Sequence, residues 1–198
     1  MSLDERRRLG LTALDLGEVE FDVPLAGRTA LGIGGAADVL VRVASSEDLE
    51  RLKRWCRRER MPLVPVPVQP GILVKDAGIR GVVVEPSADS PDEVADAVAE
   101  LDPKAAQLEL PTGGQPASRL FLDPEGQSAS DLIRDARLAG VRLRGARVSE
   151  EDPNILVNEG QASARDVLAL VDYIKRRVEQ RSGVKLKEAL RILGRDRV

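Results

Sequence analysis

The stretch AADVLVRVASSEDLERLKRWCRRER, Ala36 to Arg60, decides the fold. Its first part, DVLVRV, alternates and is rich in β-branched residues, so it reads as a strand. Ser45 and Ser46 then stand where a helix cap belongs, with Glu47 and Asp48 in the first turn. Leu49, Leu52 and Cys56 recur at i, i+3 and i+7 and give that helix one apolar face. Further on, GILVKDAGIRGVVVEP, Gly71 to Pro86, reads as a strand, a turn and a second strand. Together these segments predict a β-α-β-β unit over residues 36–86.

Between helix and return lies MPLVPVPVQPGILV, Met61 to Val74. Val64, Val66 and Val68 alternate, yet Pro65, Pro67 and Pro70 sit among them. Proline carries no N–H and fixes φ, so this segment is excluded from the middle of a sheet. Residues 1–20 read as a leader with one helix turn and a loop. MSLDERRRLG has no apolar h-region, so it does not read as a signal peptide.

Toward the C-terminus, Ser90 as N-cap, Pro91 at the first helical position and Glu93 predict a capping box ahead of Val94, Val98 and Leu101. LPTGGQPAS, Leu110 to Ser118, is the candidate linker. SASDLIRDARLAG predicts a short helix stopped by Gly140. VRLRGARVS reads as one strand with Val141, Leu143 and Gly145 on one side and Arg142, Arg144 and Ala146 on the other. NILVNEG reads as a short buried strand. SARDVLALVDYIKRRVEQRSG predicts a long helix: Ser163 caps it, Asp166 closes the box, Gly183 stops it, and Val167, Leu170, Val171, Ile174 and Val178 line one face. KLKEALRILG closes as a strand or a bent helix end.

The composition of the 198 residues narrows the function. Thirty Lys and Arg against 33 Asp and Glu leave a net charge of −3, with no global drive toward nucleic acid or an anionic membrane. Histidine is absent, which removes the commonest base near neutral pH and the commonest metal ligand. The single cysteine, Cys56, permits no intrachain disulfide and no thiolate metal site. No apolar run reaches the length of a membrane span. These features imply a cytoplasmic protein without membrane insertion, nucleic-acid partner or metal.

Two stretches, VPLAGRTALGIGGAADVLV (Val23–Val41) and residues 123–194 from DPEGQSASDLIRDARLAG to ALRILG, resemble the UDP-N-acetylenolpyruvoylglucosamine reductase (MurB) family. The similarity covers residues 20–86 and about 107–194. It implies an FAD- and NADPH-using enzyme of cytoplasmic peptidoglycan precursor synthesis that forms UDP-N-acetylmuramate. It also implies a fold: an α+β chain joining a first flavin-domain lobe to a substrate domain. The expected organisation is a leader at 1–20, a truncated FAD-binding-like β-α-β-β domain at 21–88, a helix and linker at 89–117, and a C-terminal domain at 118–198.

The departures from the family pattern are as informative. The resemblance implies a large middle portion with a second glycine stretch and a Tyr-Arg segment, and this chain has neither. Where the family carries Leu-Gly-Gly-Gly-Ser around the flavin pyrophosphate, this chain has Val66, Pro67, Val68, Gln69 and Pro70, followed by Gly71. The prolines delete two donors, and valine does not readily take the positive φ of glycine. The proton-donating serine falls at Arg119 and the catalytic glutamate at Ala189, with Ser118 and Glu188 each offset by one residue. An offset of one in an extended segment turns a side chain to the other face. A general acid must reach its proton, so no catalytic residue is assigned.

The remaining candidates each carry a plainer alternative. GIGG, Gly32 to Gly35, is a phosphate contact or a turn. Arg137, Arg142, Arg144 and Arg147 are an anion-binding stripe or a solvated face. Asn158 is a ligand-side or packing residue, and Ser128 a substrate-side residue or a helix cap. Cys56 beside Arg57 and Arg58 is an activated thiol or a buried one. The basic run Arg51, Lys53, Arg54, Arg57, Arg58 and Arg60 is a solvated helix face or a dock for an acidic partner. The reading these features favour is a catalytically inactive relative with a binding or regulatory role. No cofactor is expected, and the expected partner is a cell-wall or division protein, or a UDP-sugar. The alternatives are an active FAD/NADPH-dependent dehydrogenase with a rearranged site and a flavin-free UDP-sugar sensor.

Overall fold

The computed structural model describes residues 3–66, 71–102 and 117–194. Its α+β class agrees with the expectation, and its core strand-helix step falls where the sequence sets it. Strand β2 (Ala36–Val43) is followed by a helix at Ser46–Glu59, whose N-cap Ser45 accepts from the Asp48 amide. The helix ends at Arg60, which takes the left-handed conformation. Strand β2 lies parallel to β5 (Ile79–Pro86), with Val41 opposite Val84. Both strands are buried along most of their length, as valine-rich strands covered on two faces must be.

The first 20 residues form more than a leader. Helix α1 (Glu5–Thr12) is capped by Asp4, and strand β1 (Glu18–Pro24) pairs antiparallel with β2. Leu11 and Leu16 are fully buried in the same core as Val39, Leu52 and Trp55. The leucines of this region follow no clean helical or alternating period, so nothing local marks Leu11 and Leu16 as the pair that docks it.

The helix at Ser46–Glu59 is α2, and strand β3 (Leu63–Pro65) follows it. The sheet runs β1-β2-β5-β3, which sets β3 at an edge. The Val66 amide donates to Val84 and the Pro62 carbonyl accepts from Val82, so the even-numbered amides face β5. The nitrogen of Pro65 therefore faces the open edge, where a missing donor costs nothing and blocks pairing with another strand. Strand β4 (Ile72–Val74) leaves this sheet. It pairs in parallel with β12 (Arg191–Leu193), near the other end of the chain.

Helix α3 (Asp92–Ala99) packs Val94 and Val98 into the N-terminal core, but the expected capping box does not form. Pro91 occupies the cap position, and the Ser90 hydroxyl donates instead to the Ser87 carbonyl, 2.8 Å away. The C-terminal sheet has the order β6-β10-β9-β8, from Ala117–Arg119, Ile155–Asn158, Ala146–Val148 and Arg142–Leu143. VRLRGARVS is thus a hairpin and not one strand: Arg142 lies opposite Arg147, and Arg144 takes φ +52° in the turn. Gly145 is required there, because a Cβ would lie 2.3 Å from the Ala162 nitrogen. KLKEALRILG is two strands, β11 (Lys187–Glu188) against β7 (Phe121–Leu122), and then β12.

Helix α5 (Ala164–Ser182) stands as predicted, with its Ser163–Asp166 capping box and Gly183 stop, whereas α4 (Ala129–Asp135) ends with Ala136 as its C-cap, because Arg137 turns left-handed before the expected stop of Gly140 is reached. The core beneath α5 also takes in Leu31, Ile33 and Leu73 from the N-terminal half.

Candidate functional site

Ser118 and Arg119 are adjacent on β6 and point opposite ways. Ser118 is fully buried, and its hydroxyl accepts the amide of Gly71. Arg119 is turned to solvent, with its guanidinium 3.6 Å from Asp123. Ala189 uses its amide to bond the Leu120 carbonyl at 2.8 Å. Glu188 accepts from the Lys175 ammonium at 2.8 Å, and that bond raises the Lys175 pKa against the opposing effect of burial. The alternation read from the sequence thus holds at β6, while both offset neighbours are engaged in structural bonds. Pro67, Val68, Gln69 and Pro70 lie outside the described residues; Gly71, at φ +80°, is described.

The glycine run Gly32–Gly35 is a turn. The Gly32 amide donates to Thr29 at 3.0 Å, Ile33 to the Thr29 hydroxyl at 3.0 Å, and Gly35 to Lys75 at 3.1 Å. Glycine is needed for close backbone packing: a Cβ on Gly35 would lie 2.2 Å from the Asp76 carbonyl oxygen. The long helix offers no open N-terminus either. The Asp76 carboxylate accepts from the Ala164 and Arg165 amides at 2.8 and 3.1 Å, and the Ser163 hydroxyl accepts from Asp166. Burial disfavours the Asp166 carboxylate. The Ser163 hydroxyl and amide outweigh that with help from Arg144 and Arg165, so its pKa lies below the usual value.

The arginines at the hairpin are balanced from within the chain. Arg142 and Arg147 both reach Glu159, at 3.2 and 2.7 Å, and Arg144 lies 3.5 Å from Asp166. Arg137 sits apart, at φ +59° after α4. Asn158 is a packing residue: its amide donates to Leu31, and its oxygen accepts from Gly160 and Ala162. Ser128 caps α4 through the Asp131 amide. A groove of about 470 Å³ lies between α2 and β3, lined by Glu50, Lys53, Cys56, Arg57, Met61 and Leu63. Burial pushes the Cys56 thiol up to about 12, which removes the activated-thiol reading.

Sequence reasoning missed Asp76, Glu159 and the buried Asp102, which pairs with Arg191. Asp76 shows no local signal because the amides it caps lie 88 and 89 residues away. Among the described residues, no group of His, Cys, Asp or Glu is placed to hold a metal ion, and no helix is long and apolar enough to cross a membrane.

Comparison with known proteins sets this geometry in context. The profile described as UDP-N-acetylenolpyruvoylglucosamine reductase, C-terminal domain, matches residues 110–193. A reductase of that name from Clostridioides difficile is 26% identical over 295 positions, covering 94% of this chain and 97% of that protein. An alignment of that length cannot be filled by 198 residues, so a long part of the relative faces no residue here. The Geobacter metallireducens reductase is 38% identical over 128 residues, 64% of this chain and 40% of that protein. The Geobacter sulfurreducens reductase is 49% identical over 78 residues, 39% of this chain and 26% of its own length. In these two comparisons the matched region spans less than half of the relative. The crystal structure of a Thermus caldophilus reductase of this name superposes with a TM-score of 0.62 at 20% identity, covering 89% of this chain and 98% of that one, a likeness of fold.

Proposed function

We propose, on the premise that the chain belongs to the UDP-N-acetylenolpyruvoylglucosamine reductase family, that it serves peptidoglycan precursor synthesis as a non-catalytic member. Its role is binding or regulation, through contact with a cell-wall or division protein. The observation that carries this reading is the bond between Ser118 and Gly71. The resemblance sets a flavin phosphate loop immediately before Gly71, and such a loop works by leaving backbone amides free to face an anion. Here the Gly71 amide is held by the chain's own buried hydroxyl. The amides of Gly32, Ile33 and Gly35 are used in the same way. These internal bonds support a locus whose backbone no longer serves a dinucleotide.

The residues at the positions the resemblance assigns to protonation support the same reading. A proton donor must come within hydrogen-bond reach of the atom it serves. Arg119 stands in the serine's place with no proton to give at neutral pH, since guanidinium stays charged. Ala189 has no ionisable group, and the neighbouring carboxylate is tied to Lys175. The sensor reading is weaker than the non-catalytic one, because Arg142 and Arg147 are already committed to Glu159.

Spectroscopy and kinetics on the purified chain test the proposal. Incubated with FAD and desalted, it should show no flavin band in the visible. With NADPH and UDP-N-acetylenolpyruvoylglucosamine it should show no substrate-dependent NADPH oxidation. Retained stoichiometric flavin together with turnover would overturn the reading in favour of a rearranged enzyme. Calorimetric heat with UDP-N-acetylmuramate, lost in Arg142→Ala, would replace it with the sensor.

A further inference from the structure

The helix layer over the N-terminal sheet has two oppositely charged ends. Helices α2 and α3 each leave the end of a strand and return over the same sheet face, since both bury residues in one core. Their starts lie together: the Ser87 amide just after β5 bonds the Val43 carbonyl at the end of β2. The two helices therefore begin at one end of the sheet, where Glu47, Asp89, Asp92 and Glu93 are all exposed. The far end of α2 carries Arg54, Arg57, Arg58 and Arg60, also exposed.

The chain spends few of these charges on itself. Among the described residues, no ion pair joins α2 to α3, and none engages Asp89, Asp92, Glu93, Asp96 or Glu100. At the other end, Arg57 meets Glu50 only at 4.0 Å and Arg58 meets Glu59 at 3.5 Å; the arginine side chains are 72% and 67% exposed. Acid at a helix start and base at its end suit the helix dipole. That effect does not account for Glu100 at the C-cap of α3, or for the absence of any base on that helix.

We propose that this layer is a self-association surface, with a second copy of the chain as its occupant. A two-fold axis through the layer reverses both helices and sets the basic end of α2 over the acidic start of α3 of the other copy. A patch holding both signs at opposite ends is self-complementary under that operation. A head-to-tail contact would use each end once and grow without closing, whereas the two-fold contact satisfies both ends in each copy. Because the charges are exposed, the association is weak and salt-sensitive.

Sedimentation velocity of the full chain tests this. The chain should dimerise at low ionic strength and dissociate as salt rises. The double variant Asp92→Arg/Glu93→Arg should weaken the dimer by at least about tenfold in dissociation constant, as should Arg57→Asp/Arg58→Asp. Mixing the two variants should restore a heterodimer, which a merely destabilised fold would not do. A monomer at low salt would overturn the proposal, as would a dimer indifferent to salt and to both double variants. The salt titration of the unsubstituted chain decides the matter even if a variant folds poorly.

Discussion

Cys56 shows how a local charge pattern misleads when depth is unknown. Arg57 and Arg58 beside it resemble an environment that activates a thiol, but the helix turns the cysteine inward, where it is 3% exposed. Burial dominates and raises the pKa to about 12. At pH 8 roughly one thiol in ten thousand is then ionised. The native chain should react with a disulfide reagent orders of magnitude more slowly than the chain in guanidinium. Equal rates, followed by release of the chromophore, would show that the thiol is open to solvent. Arg119 and Ser118 teach the reverse lesson. Their opposite facings were legible because a strand alternates. The destination of the Ser118 hydroxyl was not legible, because Gly71 is 47 residues away in sequence.

At the scale of elements, α5 was readable from end to end. Its cap, box, apolar face and stop lie within one continuous stretch, so local rules suffice. The hairpin at Arg142–Val148 was misread because a two-residue turn without Asn-Gly or Asp-Gly looks like continued alternation. Strand β1 and helix α1 were underread because Leu11 and Leu16 acquire meaning only once the sheet is present. The most consequential unread feature is Asp76, which satisfies two amides of α5 from the other half of the chain. Asp76→Ala leaves both amides at a partly buried helix start without their acceptor and should cost about 1–3 kcal/mol. Asp76→Asn keeps one acceptor oxygen and should cost less. Urea denaturation midpoints at constant slope would measure both; an alanine variant as stable as the parent would show that Ser163 and water suffice as caps.

At the scale of the whole molecule, the two halves share structure. The parallel pair β4–β12 joins residues 72–74 to 191–193, and Asn158 reaches across to Leu31. Leu31, Ile33 and Leu73 complete the core under α5. The resemblance anticipated the fold, but no sequence rule predicts which short strand near Pro70 will pair with the last one. Leu73 sits fully buried on this seam, so Leu73→Ala should cost about 2–5 kcal/mol. Its distribution is the sharper test. Trp55, the only tryptophan, lies in the N-terminal core and reports that half by fluorescence. Far-UV circular dichroism draws on the helices of both halves, the 19-residue α5 among them, so its midpoint departs from that of Trp55 if α5 melts alone. If the seam makes the chain one cooperative unit, the two signals share one midpoint in the parent and fall together in Leu73→Ala. If the dichroism midpoint falls while the Trp55 midpoint stays, the halves unfold independently and the seam is only a contact between them.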